Sequence, residues 1–144
     1  MEILLTGKNA LVGGSSKGIG RAIAERLAAS GASVTLMARS EDLMARIVES
    51  LPTDKGQSHG YLVVNFSDFP AFKTQMDTFF SENTVDILIN NTQGPAAGSA
   101  LEKDIEECQT AFDLLFKCSV YTTNLALSSM QKNNWGRIVN VASI

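Results

Sequence analysis

The sequence has little of what would mark a disulfide scaffold, a metal-organised fold, a membrane span or a nucleic-acid binder. Its two cysteines, Cys108 and Cys118, form no C-x-x-C pair, so neither a disulfide framework nor a zinc site organises it. Positive charge is not in excess: 12 Lys and Arg stand against 15 Asp and Glu, a net charge of -3, which excludes the basic footprint of nucleic-acid binding. No apolar run approaches the roughly 20 residues that cross a bilayer. The opening stretch, Met1-Glu2-Ile3-Leu4-Leu5-Thr6-Gly7-Lys8, is a poor signal peptide because its second residue is acidic and its apolar run is short. A soluble, cytoplasmic protein without membrane or nucleic-acid partners is expected. Histidine occurs once, at His59, with no acid or nucleophile beside it in sequence, which suits a structural or surface role. What is present is apolar material: 44% of the 144 residues are hydrophobic, enough for the core of one domain.

Short apolar runs alternate with longer stretches of helical spacing. Asn9–Gly13 reads as a buried strand ending in glycines. From Gly18 onward Ile19, Ala22, Ile23, Leu27 and Ala28 recur at helical intervals, and Ser30-Gly31 stops the pattern. Residues 33–38 form a second strand, and a helix over 41–51 ends at Pro52. A polar loop over 53–58 leads to a third strand at 61–65, followed by a helix near 71–80. The fourth strand covers 86–90, a glycine-proline loop covers 94–98, and a long helical region runs from 101 to 131 before a fifth strand at 137–141. Strands alternating with helices require right-handed crossovers and a parallel sheet. The strands are apolar without interruption, as expected when helices cover both faces. The fold class is therefore α/β, a doubly wound parallel sheet of five strands.

Where the first strand meets the first helix stands Gly13-Gly14-Ser15-Ser16-Lys17-Gly18-Ile19-Gly20. A helix N-terminus presents unpaired N–H groups and a partial positive charge, and glycines let backbone approach a ligand closely, so this turn suits a pyrophosphate. Its G-x-x-x-G-x-G spacing resembles the T-G-x-x-x-G-I-G turn of the short-chain dehydrogenase/reductase family, with Gly14, Gly18, Ile19 and Gly20 matching and Gly13 in place of the threonine. That replacement removes a hydroxyl and predicts a looser loop. The resemblance implies a Rossmann-like sheet of order 3-2-1-4-5 and a dinucleotide held by Gly14, Ser16, Lys17, Gly18, Ile19 and Gly20.

Cofactor choice in such folds is made near the end of the second strand, where an acid would bind the ribose hydroxyls and repel a 2′-phosphate. This chain has Ala38-Arg39-Ser40 there. Arg39 offers a guanidinium fork to a phosphate and Lys17 a second positive charge, and both positions match NADP-preferring family members. NADP(H) is expected, with Ser40 beside it. After the third strand, Asn65-Phe66-Ser67-Asp68 stands where the family has Asp-x-(Ser/Thr)-Asp. By the resemblance Asn65 keeps a carbonyl acceptor for the adenine amino group, and Phe66 contributes backbone and apolar contact.

Asn90-Asn91-Thr92-Gln93-Gly94 resembles the family's N-N-A-G element after the fourth strand. Asn91 and Thr92 are expected to line the cofactor. Thr92 and Gln93 replace smaller residues and either crowd the dinucleotide or add hydrogen bonds. In the long helical region Leu115 stands where the family has an asparagine that holds a water of the proton relay, and leucine has no donor or acceptor. Cys108 and Cys118 read as packing residues. Gly136-Arg137-Ile138-Val139-Asn140-Val141-Ala142-Ser143 resembles the family's fifth strand, which makes Ser143 the catalytic hydroxyl at a strand's C-terminal tip. The family's tyrosine acts as general acid beside a lysine four residues later. Tyr61 and Tyr121 are the only tyrosines, and Asn65 and Leu125 follow them at that interval.

The resemblance implies an NADP(H)-dependent oxidoreductase acting on a small carbonyl or alcohol, such as a 3-oxoacyl thioester, and is strongest to 3-oxoacyl-carrier-protein reductases. Leu115, Gly13 and the altered Asn90 element motivate the alternative of a non-catalytic NADP(H)-binding relative, since a shared fold does not settle activity. A homodimer or homotetramer through the helix at 101–131 is implied, with Phe112, Leu115, Phe116, Tyr121 and Leu125 supplying apolar surface of which some must also face the sheet. The match covers about three-fifths of a family domain, so 1–144 reads as a dinucleotide-binding domain incomplete at its C-terminus. Its fifth strand would stand as an open apolar edge, and the isolated piece is expected to aggregate or pack loosely.

Overall fold

In the computed structural model, which describes residues 3–95, 97–99 and 101–142, the alternation becomes five strands and five α-helices. They follow one another as β1 (Asn9–Gly13), α1 (Gly18–Ala29), β2 (Ser33–Ala38), α2 (Glu41–Ser50), β3 (Gly60–Val63) and α3 (Phe69–Glu82). After these come β4 (Ile87–Asn90), α4 (Ile105–Phe112), a π-helical turn (Asp113–Lys117), α5 (Cys118–Lys132) and β5 (Arg137–Asn140). All neighbouring strands pair in parallel, in the order β3-β2-β1-β4-β5. This is the expected 3-2-1-4-5 arrangement, in which the chain reverses direction of travel between β1 and β4.

Successive strand residues are buried on opposite faces, which is why the strands read as unbroken apolar runs. Val12, Val34, Leu36 and Ile89 pack with Ala24, Ala28, Met44 and Ile47 of α1 and α2. Leu11, Met37 and Leu88 pack on the other face with Phe72 and Met76 of α3 and Ala126 and Met130 of α5. Each fully buried Leu, Val or Phe contributes about 1.5–3 kcal/mol by leaving water, and these two layers hold the sheet. His59 has the structural role expected of it: its Nδ1 accepts from the Val34 N–H (3.1 Å) while Nε2 bonds the Pro52 carbonyl (2.8 Å), fastening the α2–β3 loop to β2.

Several boundaries differ from those read in the sequence, each for a local reason. β3 ends at Val63, two residues before Asn65, because its pairing with β2 finishes opposite Ala38. The chain then turns through Asn65–Asp68, closed by the Asp68 N–H on the Asn65 carbonyl (3.1 Å). α3 starts at Phe69, ahead of residue 71, since Asp68 caps it by accepting from the Ala71 N–H (3.1 Å) and proline is tolerated in its first turn.

The region 101–131 is not one helix. α4 begins only after Asp104, whose side chain accepts from the Glu107 N–H (2.8 Å) while Glu107 accepts from the Asp104 N–H (3.2 Å), a reciprocal capping box. The π turn then inserts one extra residue and changes which side chains face the core. Beyond it, Tyr121 and Leu125 turn inward against the α3 layer, whereas Phe112, Leu115, Phe116 and Val120 remain exposed. Two of the five residues expected to supply apolar surface thus belong partly to the core. Tyr121 also donates to Asp77 of α3, which holds Lys73 (2.8 Å); both bonds keep the Asp77 carboxyl below the usual carboxylate range.

Candidate functional site

At the C-terminal ends of β1, β2 and β4 lies an open groove of about 450 Å³. Its floor is the turn from β1 into α1. Gly14 (φ +56°) and Gly18 (φ +59°) both take left-handed backbone, which side-chain-bearing residues adopt only at a cost, so two of the predicted glycines are demanded by geometry. Gly20 serves beneath the turn and not in the groove lining: a Cβ there would run into the Gly14 carbonyl. Lys17 is the N-cap residue of α1, no side chain caps that helix, and its first turn holds no acid. The helix's unpaired N–H groups and positive dipole end are therefore unclaimed by the protein's own side chains.

The turn is fixed from two sides. Ser15 is wholly buried; its hydroxyl accepts from the Met37 N–H (2.9 Å) and donates to the Met37 carbonyl (3.4 Å), tying the turn to β2. The Asn91 amide donates to the carbonyls of Gly13 (3.0 Å) and Gly14 (3.4 Å), tying it to the end of β4. The space a Cβ on Gly13 would need is taken by the Asn91 carbonyl. The turn is thus tied to both neighbouring strands, and no side chain larger than hydrogen fits at position 13 without displacing the Asn91 backbone.

The groove walls collect residues from four separate segments. Ser16, Lys17, Gly18 and Ile19 come from the turn, and Arg39 and Ser40 from the end of β2. Asn65, Phe66 and Ser67 follow β3, and Asn91, Thr92 and Gln93 follow β4. Every residue predicted to hold the cofactor lines this groove except Gly20. Phe66 does so while its ring packs on Phe72, 5.3 Å between centroids, so it is largely a core residue. Among the described residues Lys17 and Arg39 are the charged ones lining the groove, and no carboxylate joins them. An anion therefore meets two cations, a helix N-terminus and no repulsion.

Gln93 was not singled out from the sequence as a site residue, yet its Oε1 accepts from the Arg39 guanidinium (2.6 Å). Thr92 joins the same network within the protein, its Oγ1 donating to the Gln93 carbonyl (3.0 Å). Ser15 was likewise overlooked. The unusual Ser-Ser inside a glycine turn was the available signal, but which serine points inward depends on β2.

A second cavity, about 840 Å³, continues from the groove past Ile19, Asn91 and Thr92 to the ends of β4 and β5. It is walled by Leu115, Phe116 and Val120 from the π turn and α5 and by Val141 and Ala142 after β5. Asn90 crosses its floor, donating to Thr123 (3.0 Å) and Asn140 (2.8 Å). Leu115 offers only apolar surface here. Ser143, the expected catalytic hydroxyl, lies outside the described residues. Neither tyrosine lines either cavity. Among the described residues no three His, Cys, Asp or Glu side chains gather to hold a metal ion, and no helix is long and apolar enough to cross a membrane.

Comparison with known proteins places this geometry. The sequence profile of the family described as short chain dehydrogenase matches residues 8–144. The 3-oxoacyl-[acyl-carrier-protein] reductase FabG of Aquifex aeolicus is 32% identical over 145 residues, covering 100% of this chain and 58% of that protein. The enzyme of the same name from Haemophilus influenzae is 37% identical over 144 residues, covering 97% of this chain and 57% of that protein. Among solved structures, L-sorbose reductase of Gluconobacter frateurii in complex with NADPH and L-sorbose superposes with a TM-score of 0.88 at 30% identity, covering 100% of this chain and 55% of that one. The chain thus spans a little over half the length of the relatives it matches.

Proposed function

The chain belongs to the short chain dehydrogenase family, and on that premise we propose that it is the dinucleotide-binding part of an NADP(H)-dependent oxidoreductase. The observation that carries this reading is the groove itself: a glycine turn at an uncapped helix N-terminus, with Lys17 and Arg39 and, among the described residues, no carboxylate on its walls. The residues present fit the cofactor, because Gly14 and Gly18 leave the turn without side chains where a pyrophosphate needs close backbone approach. Gly14, Ser16, Gly18 and Ile19 cradle the pyrophosphate. Arg39, with Lys17 and Ser40 beside it, takes the 2′-phosphate through charge-assisted hydrogen bonds. Asn65 accepts from the adenine amino group and Phe66 lies alongside. Asn91 and Thr92 line the inner wall, and Asn91 holds the turn in shape through its two carbonyl contacts.

When bound, the dinucleotide supplies or accepts the hydride. The cavity beyond Thr92 is where the second reactant sits. Its apolar walls at Leu115, Phe116 and Val120 suit the chain of a ketone such as a 3-oxoacyl thioester, and the family resemblance gives Ser143 the role of hydrogen-bonding the carbonyl oxygen. FabG of Aquifex aeolicus and of Haemophilus influenzae, as 3-oxoacyl reductases, support that substrate class. A second reading, an NADP(H)-binding relative with altered or absent catalysis, is favoured by one observation: Leu115 puts hydrocarbon into this cavity where a proton relay needs a polar group. Self-association through the long helical region, where Phe112, Leu115 and Phe116 are exposed, accompanies either reading.

Binding constants for NADP+ and NAD+ test the proposal. NADP+ is expected to bind more tightly, and Arg39→Ala is expected to erase about tenfold or more of that preference. Equal affinities for the two dinucleotides in the unaltered protein overturn it.

A further inference from the structure

Arg39 and Gln93 are 54 positions apart in sequence, and β1 lies between the strands that carry them, yet the guanidinium and the carboxamide oxygen meet at 2.6 Å. Both residues line the groove, so the contact joins the segment after β2 to the segment after β4 within its wall. Arginine carries five donors in a planar fork, and this bond uses one nitrogen, so the rest of the fork remains available. An exposed arginine on a flexible stem otherwise loses rotamer entropy when a ligand fixes it. Gln93 is itself steadied, its carbonyl accepting from Thr92 Oγ1 (3.0 Å). Being neutral, the glutamine orients the cation without neutralising it.

We infer that Gln93 is a positioning residue: it holds the Arg39 guanidinium over the groove so that its free donors meet the 2′-phosphate, and it thereby sharpens the choice of NADP(H) over NAD(H). This rests on the dinucleotide reading above. The same geometry specifies the opposite effect for a carboxylate at position 93. Gln93→Glu would pair with Arg39 and set a negative charge beside the phosphate, turning an orienting contact into a competing one.

Titration calorimetry with NADP+ and NAD+ on the full-length protein tests this. Gln93→Ala is expected to weaken NADP+ about threefold to tenfold and to leave NAD+ within about twofold, the range of an exposed bond to a charged group. Gln93→Glu is expected to weaken NADP+ further, again sparing NAD+, whose unchanged affinity reports an intact fold. In an Arg39→Ala background Gln93→Ala is expected to do nothing more, because the glutamine acts only through the arginine. Three results overturn the inference while leaving the dinucleotide reading intact: an unchanged NADP+/NAD+ ratio in Gln93→Ala, equal losses for both, or an undiminished effect without Arg39. Failure of the unaltered protein to bind either dinucleotide overturns both.

Discussion

The groove over β1 and β2 and the cavity over β4 and β5 are contiguous but made of opposite materials. The first is backbone: a glycine turn, an uncapped helix end and two cations, pinned by buried Ser15 and by the Asn91 amide. The second is side chain: Leu115 and Phe116 from the π turn, Val120 from α5, and Asn140 to Ala142 at and after the end of β5. The strands beneath differ likewise. Four of the five residues of β1 are buried, whereas β5 buries none of its four completely. The groove is held in shape by main-chain contacts, while the cavity is walled by side chains that substitutions can change.

Truncating equivalent apolar residues on the two sides should show the contrast most strongly. Leu36→Ala, at a fully buried position in β2, is expected to cost about 2–5 kcal/mol in denaturant unfolding, and Val139→Ala in half-exposed β5 less than about 1 kcal/mol. Equal costs would erase the distinction. Next in size is Ser15→Ala, which leaves the buried Met37 N–H without its side-chain partner and is expected to cost about 1–3 kcal/mol while weakening NADP+ binding. Asn140→Ala, on the open side, should leave NADP+ affinity unchanged.

Asp104→Ala removes the cap of α4 and is expected to cost about 1 kcal/mol, read as a small fall in the unfolding midpoint. The smallest effect concerns the thiols. Burial pushes the Cys118 thiol up to about 11, and its S–H donates to the Phe66 carbonyl (3.4 Å), whereas Cys108 is exposed. A thiol reagent at about pH 8 should therefore label Cys108 and spare Cys118 until the protein unfolds. Because the folded value lies above the unfolded one, near 8.5, the Cys118 contribution is complete below about pH 8.5 and is lost as pH rises towards 11. Cys118→Ala should flatten that part of the stability profile.

Much of the groove was legible before any coordinates. Glycine spacing at a strand-to-helix junction, and an arginine where an acid would exclude a 2′-phosphate, are local signals with local causes. The long helical region was less legible. Residues 101–131 carry apolar residues at helical spacing, but Asp104 and Glu107 start the helix late and the π turn at Asp113–Lys117 shifts its faces. Periodicity alone therefore required that some of the five apolar residues face the sheet without saying that these are Tyr121 and Leu125. Gln93 was illegible for another reason: a glutamine in a loop has no chemistry of its own until a distant arginine is brought to it.

The order of strands and helices, the glycine turn and the burial of both sheet faces were determined by the sequence alone, because each rests on backbone preference or on apolar spacing within a few residues. Only the tertiary structure decided which of two serines locks the turn, which residues of the long helix face outward and which side chain holds Arg39. Those depend on contacts between segments dozens of residues apart, such as Ser15 with Met37 and Arg39 with Gln93. A one-dimensional pattern records what each segment prefers, and only packing settles which of those preferences meet.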